Sequence, residues 1–180
     1  MTSFTKYALK NLKLTGSVIP SSRFLANKIA QQIPKESRTI VELGAGDGVI
    51  TRYLLKHMPE QAHLTSYEIS KQLLPHLAKI DHPRFLVSNH SALELDNDFA
   101  QSTVDVVISS LPIALFDQAM KQQLLSQIRK VLTTNGLFIQ YQYLPKDKKL
   151  ILQYFPDTKT LWSALNVPPA FIYISRNSAK

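Results

Sequence analysis

Cysteine is absent from this 180-residue chain, glycine occurs only five times and tryptophan once. No apolar run approaches the roughly 20 residues that cross a bilayer as a helix. Without thiols there are no disulfides and no thiolate metal sites. The histidines, His57, His63, His76, His82 and His90, are scattered without ligand spacing, so no metal is expected. The N-terminus has no apolar segment of the secretory kind. Together these absences predict a cytoplasmic protein, peripheral to the inner face of a membrane if it meets one.

Acids are scarce at one end. Residues 1–38 carry Lys6, Lys10, Lys13, Arg23, Lys28, Lys35 and Arg38 against the single acid Glu36, while the rest of the chain is nearly balanced, within a net charge of +8. At 44% hydrophobic, the chain suits one structural domain with a full core. It divides into an N-terminal helical arm with a cap helix, 1–38, and a core, 39–180. On a helical wheel Phe4, Tyr7, Ala8, Leu12 and Leu14 share one side of the arm, Lys6, Lys10 and Lys13 lie opposite, and Leu9 alone is out of place. Such a helix can lie in the interface of an anionic membrane, or it can cover a sheet edge of its own domain with a solvated outer face. Further on, Pro20 forces extended backbone before it, and Ser21 or Ser22 can cap a helix running to about Ile33. The two serines with Arg23 also suit an anion, such as a lipid phosphate.

Three of the glycines fall within five positions. Val41-Glu42-Leu43-Gly44-Ala45-Gly46-Asp47-Gly48 follows a β-branched strand opening at Thr39, a helical period runs from Val49 to His57, and a second strand, His63 to Tyr67, ends in Glu68-Ile69. Glycines without Cβ let the backbone turn and approach a ligand, and the acid after the second strand stands where a nucleotide-binding βαβ unit reaches ribose hydroxyls. The spacing is G-x-G-x-G, with Val49 after the third glycine, and it resembles motif I of the class I S-adenosylmethionine methyltransferases. Carboxylates of Glu42 and Asp47 at the loop mouth would repel a phosphate and suit the α-ammonium of a methionine moiety.

Strand and helix then alternate as a doubly wound sheet requires. Ser70–Lys79 reads as a helix, Arg84–Val87 as a strand, and Thr103–Ser110 as a central strand. A long helix follows at about Asp117–Leu132, Asn135-Gly136 turns into a fifth strand over Leu137–Tyr143, and Thr158–Leu165 with Pro169–Ser175 forms a closing antiparallel hairpin. The fold class is α/β, and the resemblance of the glycine loop implies a Rossmann-like class I methyltransferase fold with a mostly parallel seven-stranded sheet and helices on both faces. After the third strand, Ser91-Ala92 stands where many methyltransferases place an acid on the adenine amine.

The fourth strand ends Ser109-Ser110-Leu111-Pro112-Ile113. Enzymes that methylate the exocyclic amine of a base carry Asn or Asp, a proline pair and a stacking aromatic there. Here Ser110 is the polar residue and Ile113 replaces the aromatic, which argues against nucleic acid as substrate. Val18 to Leu25, Val41 to Gly48, Tyr67-Glu68-Ile69, Ser109 to Pro112 and Pro168-Pro169-Ala170-Phe171-Ile172-Tyr173 together resemble the bacterial soluble-type phospholipid N-methyltransferases. That resemblance covers nearly the whole chain. It implies transfer of methyl from S-adenosylmethionine to phosphatidylethanolamine, towards phosphatidylcholine, by a protein whose N-terminal amphipathic helix docks on anionic membrane.

The cofactor is then expected at Glu42, Gly44, Ala45, Gly46, Asp47, Gly48, Glu68, Ile69, Ser91, Ala92 and Ser109. The lipid is expected at Lys6, Lys10, Lys13, Ser21, Ser22, Arg23, Leu111 and Pro112, and the amine at Ser110. Tyr141 and Tyr143, on alternate positions of strand five, either line the amine pocket or are core tyrosines. A methyltransferase for ribosomal RNA adenine or a small soluble amine, and a non-catalytic S-adenosylmethionine-binding membrane protein, are the competing readings.

Overall fold

A computed structural model describes residues 23–143, 145–163 and 169–178, and the amphipathic arm with Ser21 and Ser22 lies outside them. Seven strands form one sheet in the order β3-β2-β1-β4-β5-β7-β6. They are β1 Thr39–Leu43, β2 His63–Tyr67, β3 Phe85–Ser88, β4 Val104–Ser109, β5 Leu132–Gln142, β6 Asp157–Ser163 and β7 Ala170–Arg176. β7 alone runs against its neighbours, β5 and β6. The β-branched runs of β1 and β4 pair side by side, Ile40 with Val106 and Val41 with Val107, and are buried on both faces as central parallel strands must be. The order reverses between β1 and β4, so a crevice opens beyond their carboxyl ends.

Period-two alternation sends the side chains to two cores. Ile40, Leu64, Val106, Ile108 and Ile139 meet helices α1 (Arg23–Ala30) and α2 (Val49–His57) through Leu25, Ile29, Ile50 and Leu54. Val41, Leu43, Val107 and Phe138 meet Leu124 and Ile128 of the long α4 (Gln118–Val131), and Ile151 of α5 (Lys148–Tyr154). Asp117 caps α4, accepting the Met120 N–H at 2.8 Å.

Three expectations change. The helix read at Ser70–Lys79 shrinks to α3, Leu74–Ala78, because the Ser70 carbonyl takes the N–H groups of Leu73 and Leu74 in a turn and Pro75 confines the helix start. Strand five begins at Leu132 rather than Leu137, with an irregularity opposite Val104–Val106 and Asn135 in the left-handed region at φ 67°. The helix α5 has no counterpart in the sequence reading.

Candidate cofactor and acceptor site

The glycine loop hangs from the end of β1. Gly44 and Ala45 donate their N–H groups to the Tyr67 carbonyl at 2.9 and 3.1 Å, which ties the loop to the end of β2. Gly44, Gly46 and Gly48 have φ of 78°, 63° and 83°, conformations that L side chains rarely adopt. A Cβ at Gly44 would stand 2.9 Å from Ser110 Oγ, whereas one at Gly46 would have nothing within 4 Å. The loop is packed on one side and open on the other, and Gly46 marks the open side.

Glu68 locks that loop. Its Oε2 accepts the Gly46 N–H at 2.8 Å and its Oε1 the Ser70 N–H at 2.8 Å, with the residue 5% exposed. Each oxygen spends one lone pair on backbone and retains another, so the carboxylate can still accept two hydroxyls of a ribose. The open face at Gly46 and this acceptor pair fit an adenosyl ligand.

Glu42 does not stand at the loop mouth as expected. It lies on the Ile40 face of β1, 2% exposed, with Thr51 Oγ1 of α2 and Ser66 Oγ of β2 donating to its Oε2 at 2.7 and 2.6 Å. Burial pushes its carboxyl up to about 7; the two hydroxyl bonds oppose that shift and the charge of Glu68 adds to it. It braces β1, β2 and α2 from behind the loop. Asp47 is exposed, and its Oδ1 accepts the Val49 N–H at 3.3 Å where α2 starts.

Beyond β3, Ser91 Oγ accepts the Leu93 N–H at 3.2 Å and caps a 3₁₀ turn, Ala92–Asn97, with Ala92 buried. Beside it runs a chain the sequence reading missed. Tyr67 donates to Asp98 Oδ2 at 2.5 Å, and His90 Nδ1 lies 3.0 Å from both Asp98 oxygens. Partial burial alone would raise the Asp98 carboxyl; the bonds from Tyr67 and His90 outweigh it and hold the group below the usual carboxylate range. Three residues from different elements carry no local signal for this. Ile69, just after Glu68, is half-buried.

At the end of β4, Ser109 is fully buried and its Oγ accepts the Leu111 N–H at 3.3 Å. Ser110 donates its hydroxyl hydrogen to the Gly44 carbonyl, so the β4 exit is strapped to the cofactor loop. Its oxygen keeps acceptor capacity for an amine N–H. Gln140 of β5, also fully buried, supports the strap by donating Nε2 to the Leu111 carbonyl at 3.0 Å. Pro112 opens a 3₁₀ turn, Ile113–Leu115, and Ile113 is 1% exposed in the second core.

The two tyrosines of strand five part ways. Tyr141, 8% exposed, packs in the first core with Ile139, Ala170 and Ile172, the core position being one of the two the sequence left open for it; Tyr143 is half-buried at the rim of that cluster. Arg23 is exposed at the start of α1. Lys6, Lys10, Lys13, Ser21 and Ser22 lie outside the described residues.

Residues 41–138 match the methyltransferase domain family. The ornithine lipid N-methyltransferase of Singulisphaera acidiphila is 29% identical over 171 residues, covering 89% of this chain and 87% of that one. The ribosomal RNA small subunit methyltransferase A of Mesomycoplasma hyopneumoniae is 25% identical over 140 residues, 78% of this chain but only 46% of that protein. The fold is shared with the N-methyltransferase NodS from Bradyrhizobium japonicum, solved with S-adenosyl-L-homocysteine. The TM-score is 0.71 at 10% identity, covering 96% of this chain and 99% of that one. A carbon methyltransferase, CurJ, superposes with a TM-score of 0.72 at 15% identity, covering 93% of this chain and 58% of that one. With the family matching over more than half its length, a glycine loop open at Gly46 and a carboxylate ready for ribose, the chain belongs to the methyltransferase domain family, as a class I methyltransferase whose methyl donor is S-adenosylmethionine.

Proposed function

We propose that this protein methylates the amine of a membrane lipid head group, with phosphatidylethanolamine as the first candidate and an ornithine lipid as the second. The observation that carries the reading is the exit of β4. The exit Ser110-Leu111-Pro112 is strapped to the glycine loop there, which suits it to hold an amine, while the following residue, Ile113, is buried at 1% exposure and offers no ring on which a flipped base could stack. The near full-length likeness to an ornithine lipid N-methyltransferase supports the same class of acceptor.

The chemistry asks little of the protein beyond placement. Bound S-adenosylmethionine supplies a methyl group already activated on a sulfonium. Glu68 and the glycine loop hold the adenosyl part, and Ser110, strapped to Gly44, lies within the same assembly and orients the amine by accepting an N–H. Held by Ser110, the amine would present its nitrogen lone pair to the methyl group that S-adenosylmethionine would supply when bound, the thioether would be the leaving group, and the amine proton would pass to solvent.

Docking on a bilayer is part of this reading. Phe24, in the first turn of α1, is 62% exposed. Trp162, near the end of β6, is 58% exposed, and its carbonyl accepts from Lys28 Nζ of α1 at 2.7 Å. Exposed aromatics beside cations suit a lipid interface.

The test is transfer of labelled methyl to vesicles of phosphatidylethanolamine or ornithine lipid, with and without anionic lipid, by the full chain and by a form lacking residues 1–15. Label that depends on anionic lipid and on the arm supports the reading. Label in deproteinised small-subunit ribosomal RNA and in no lipid overturns it.

A further inference from the structure

A second polar cluster lies on the opposite face of β5 from Tyr141. Gln140 and Tyr173 are directly opposed on β5 and β7, both fully buried, and Asp147, 4% exposed, closes the 3₁₀ turn Pro145–Asp147 that follows β5. Both N–H bonds of the Gln140 amide are committed, to the Leu111 carbonyl at 3.0 Å and the Tyr141 carbonyl at 2.9 Å, so the amide cannot be turned round and its Oε1 is left over. Asp147 gives one oxygen to Lys121 Nζ at 2.7 Å and leaves Oδ2 over. Gln140 Oε1 and Asp147 Oδ2 are sealed from solvent and have no hydrogen-bond partner among the described residues, and the Tyr173 hydroxyl, equally sealed, has Gln142 beside it.

Orphaned buried oxygens are costly, and a fold keeps them where something else satisfies them. Burial pushes the Tyr173 phenol up, a bond with Gln142 works against it, and the charge of Asp147 adds to it, which brings Asp147 and Tyr173 into one electrostatic neighbourhood. The cluster also adjoins the acceptor strap, since Gln140 holds Leu111 and is the register partner of Ser109. What is left over is acceptor-rich and calls for a small group with several N–H donors.

We propose that Gln140, Asp147 and Tyr173 form a subsite for the amino group of the acceptor, reading its N–H donors. The inference rests on the lipid-amine reading above and deepens it. Such a subsite favours a primary amine and loses grip as each methyl replaces an N–H. A quaternary product has no donor to offer and leaves. Entry requires the turn Pro145–Asp147 to shift from its neighbour Ile113–Leu115, because the three oxygens are closed to solvent.

The test uses the full chain saturated with S-adenosylhomocysteine and titrated calorimetrically with glycerophosphoethanolamine or glycerophosphocholine, which share a phosphate and differ in N–H donors. Wild type is expected to bind the ethanolamine form at least tenfold more tightly. Tyr173→Phe, which removes the hydroxyl and keeps the ring, should abolish that preference while S-adenosylhomocysteine affinity holds and the melting temperature changes little; Asp147→Asn should weaken it. Equal or absent binding of the two head groups by wild type, or a preference surviving in Tyr173→Phe, overturns the subsite and leaves the cluster as a pocket for ordered water. Lipid methylation is measured on the same preparations. Methyl transfer without head-group discrimination overturns the subsite alone, and discrimination without transfer to any lipid overturns the lipid function alone.

Discussion

Glu68 Oε2 accepts the N–H of Gly46 at 2.8 Å, so the residue that would hold the ribose also holds the loop that would hold the methionine. One carboxylate thereby couples cofactor binding to loop shape. Glu68→Ala should cost about 10- to 100-fold in S-adenosylmethionine affinity, since hydrogen bonds to a charged group are worth about 1.5–3 kcal/mol. It should also lower the melting temperature, because the Gly46 and Ser70 N–H groups lose their acceptor. Calorimetric titration checks the first effect, and unchanged affinity would count against this placement of the cofactor.

The glycines should separate fold from binding. Gly46→Ala meets no protein atom within 4 Å, so its stability cost is confined to the positive φ, about 1 kcal/mol. Cofactor affinity should fall far more than stability. Gly44→Ala puts a Cβ 2.9 Å from Ser110 Oγ and 3.0 Å from a Leu111 methyl, so it should destabilise the fold more and disturb the strap as well. Melting curves beside titrations of both variants decide this, and equal stability losses would contradict it.

Stability should decline from mildly acidic to neutral pH because of Glu42. Its folded pKa is raised from 4.5 to about 7, so the folded chain binds this proton more tightly than the unfolded chain does. The contribution is complete below about pH 4.5 and is lost as pH rises through 7, up to about 3 kcal/mol. Glu42→Gln, which keeps an acceptor for Thr51 and Ser66, should flatten that slope. Denaturant titrations at pH 5 and pH 8 measure it, and an identical slope in the variant would refute the assignment to Glu42.

Trp162 is the chain's one tryptophan and is 58% exposed, so its fluorescence reports on a single place. On anionic vesicles the emission should shift to the blue, and the shift should shrink in high salt as the surrounding cations are screened. Removal of residues 1–15 should weaken it. A spectrum indifferent to vesicles would take the end of β6 out of the docking surface.

Where local signals were strong, the linear reading and the folded chain coincide. Val49–His57 and His63–Tyr67 are helix and strand over the same residues, because a left-handed glycine turn starts one and Leu64 and Tyr67 anchor the other in the two cores. The failures share a cause. Glu42 reads as a loop-mouth acid by its neighbours in sequence, but strand alternation puts it on the side of Ile40, towards Thr51 and Ser66. Ser70 reads as a helix cap, yet its carbonyl is occupied by a turn ahead of Pro75.

The chain by itself determined the alternation of strand and helix, the glycine loop and the acid that follows it, because these depend on backbone freedom, periodicity and short spacings. Only the tertiary structure decided that Glu42 is a buried brace, that Ser110 is tied to Gly44, and that Gln140 and Tyr173 are paired across β5 and β7 and fully buried. Those facts depend on strand order and register, which bring together residues far apart in the chain, and on the removal of water, which turns an ordinary polar side chain into one that must find a partner.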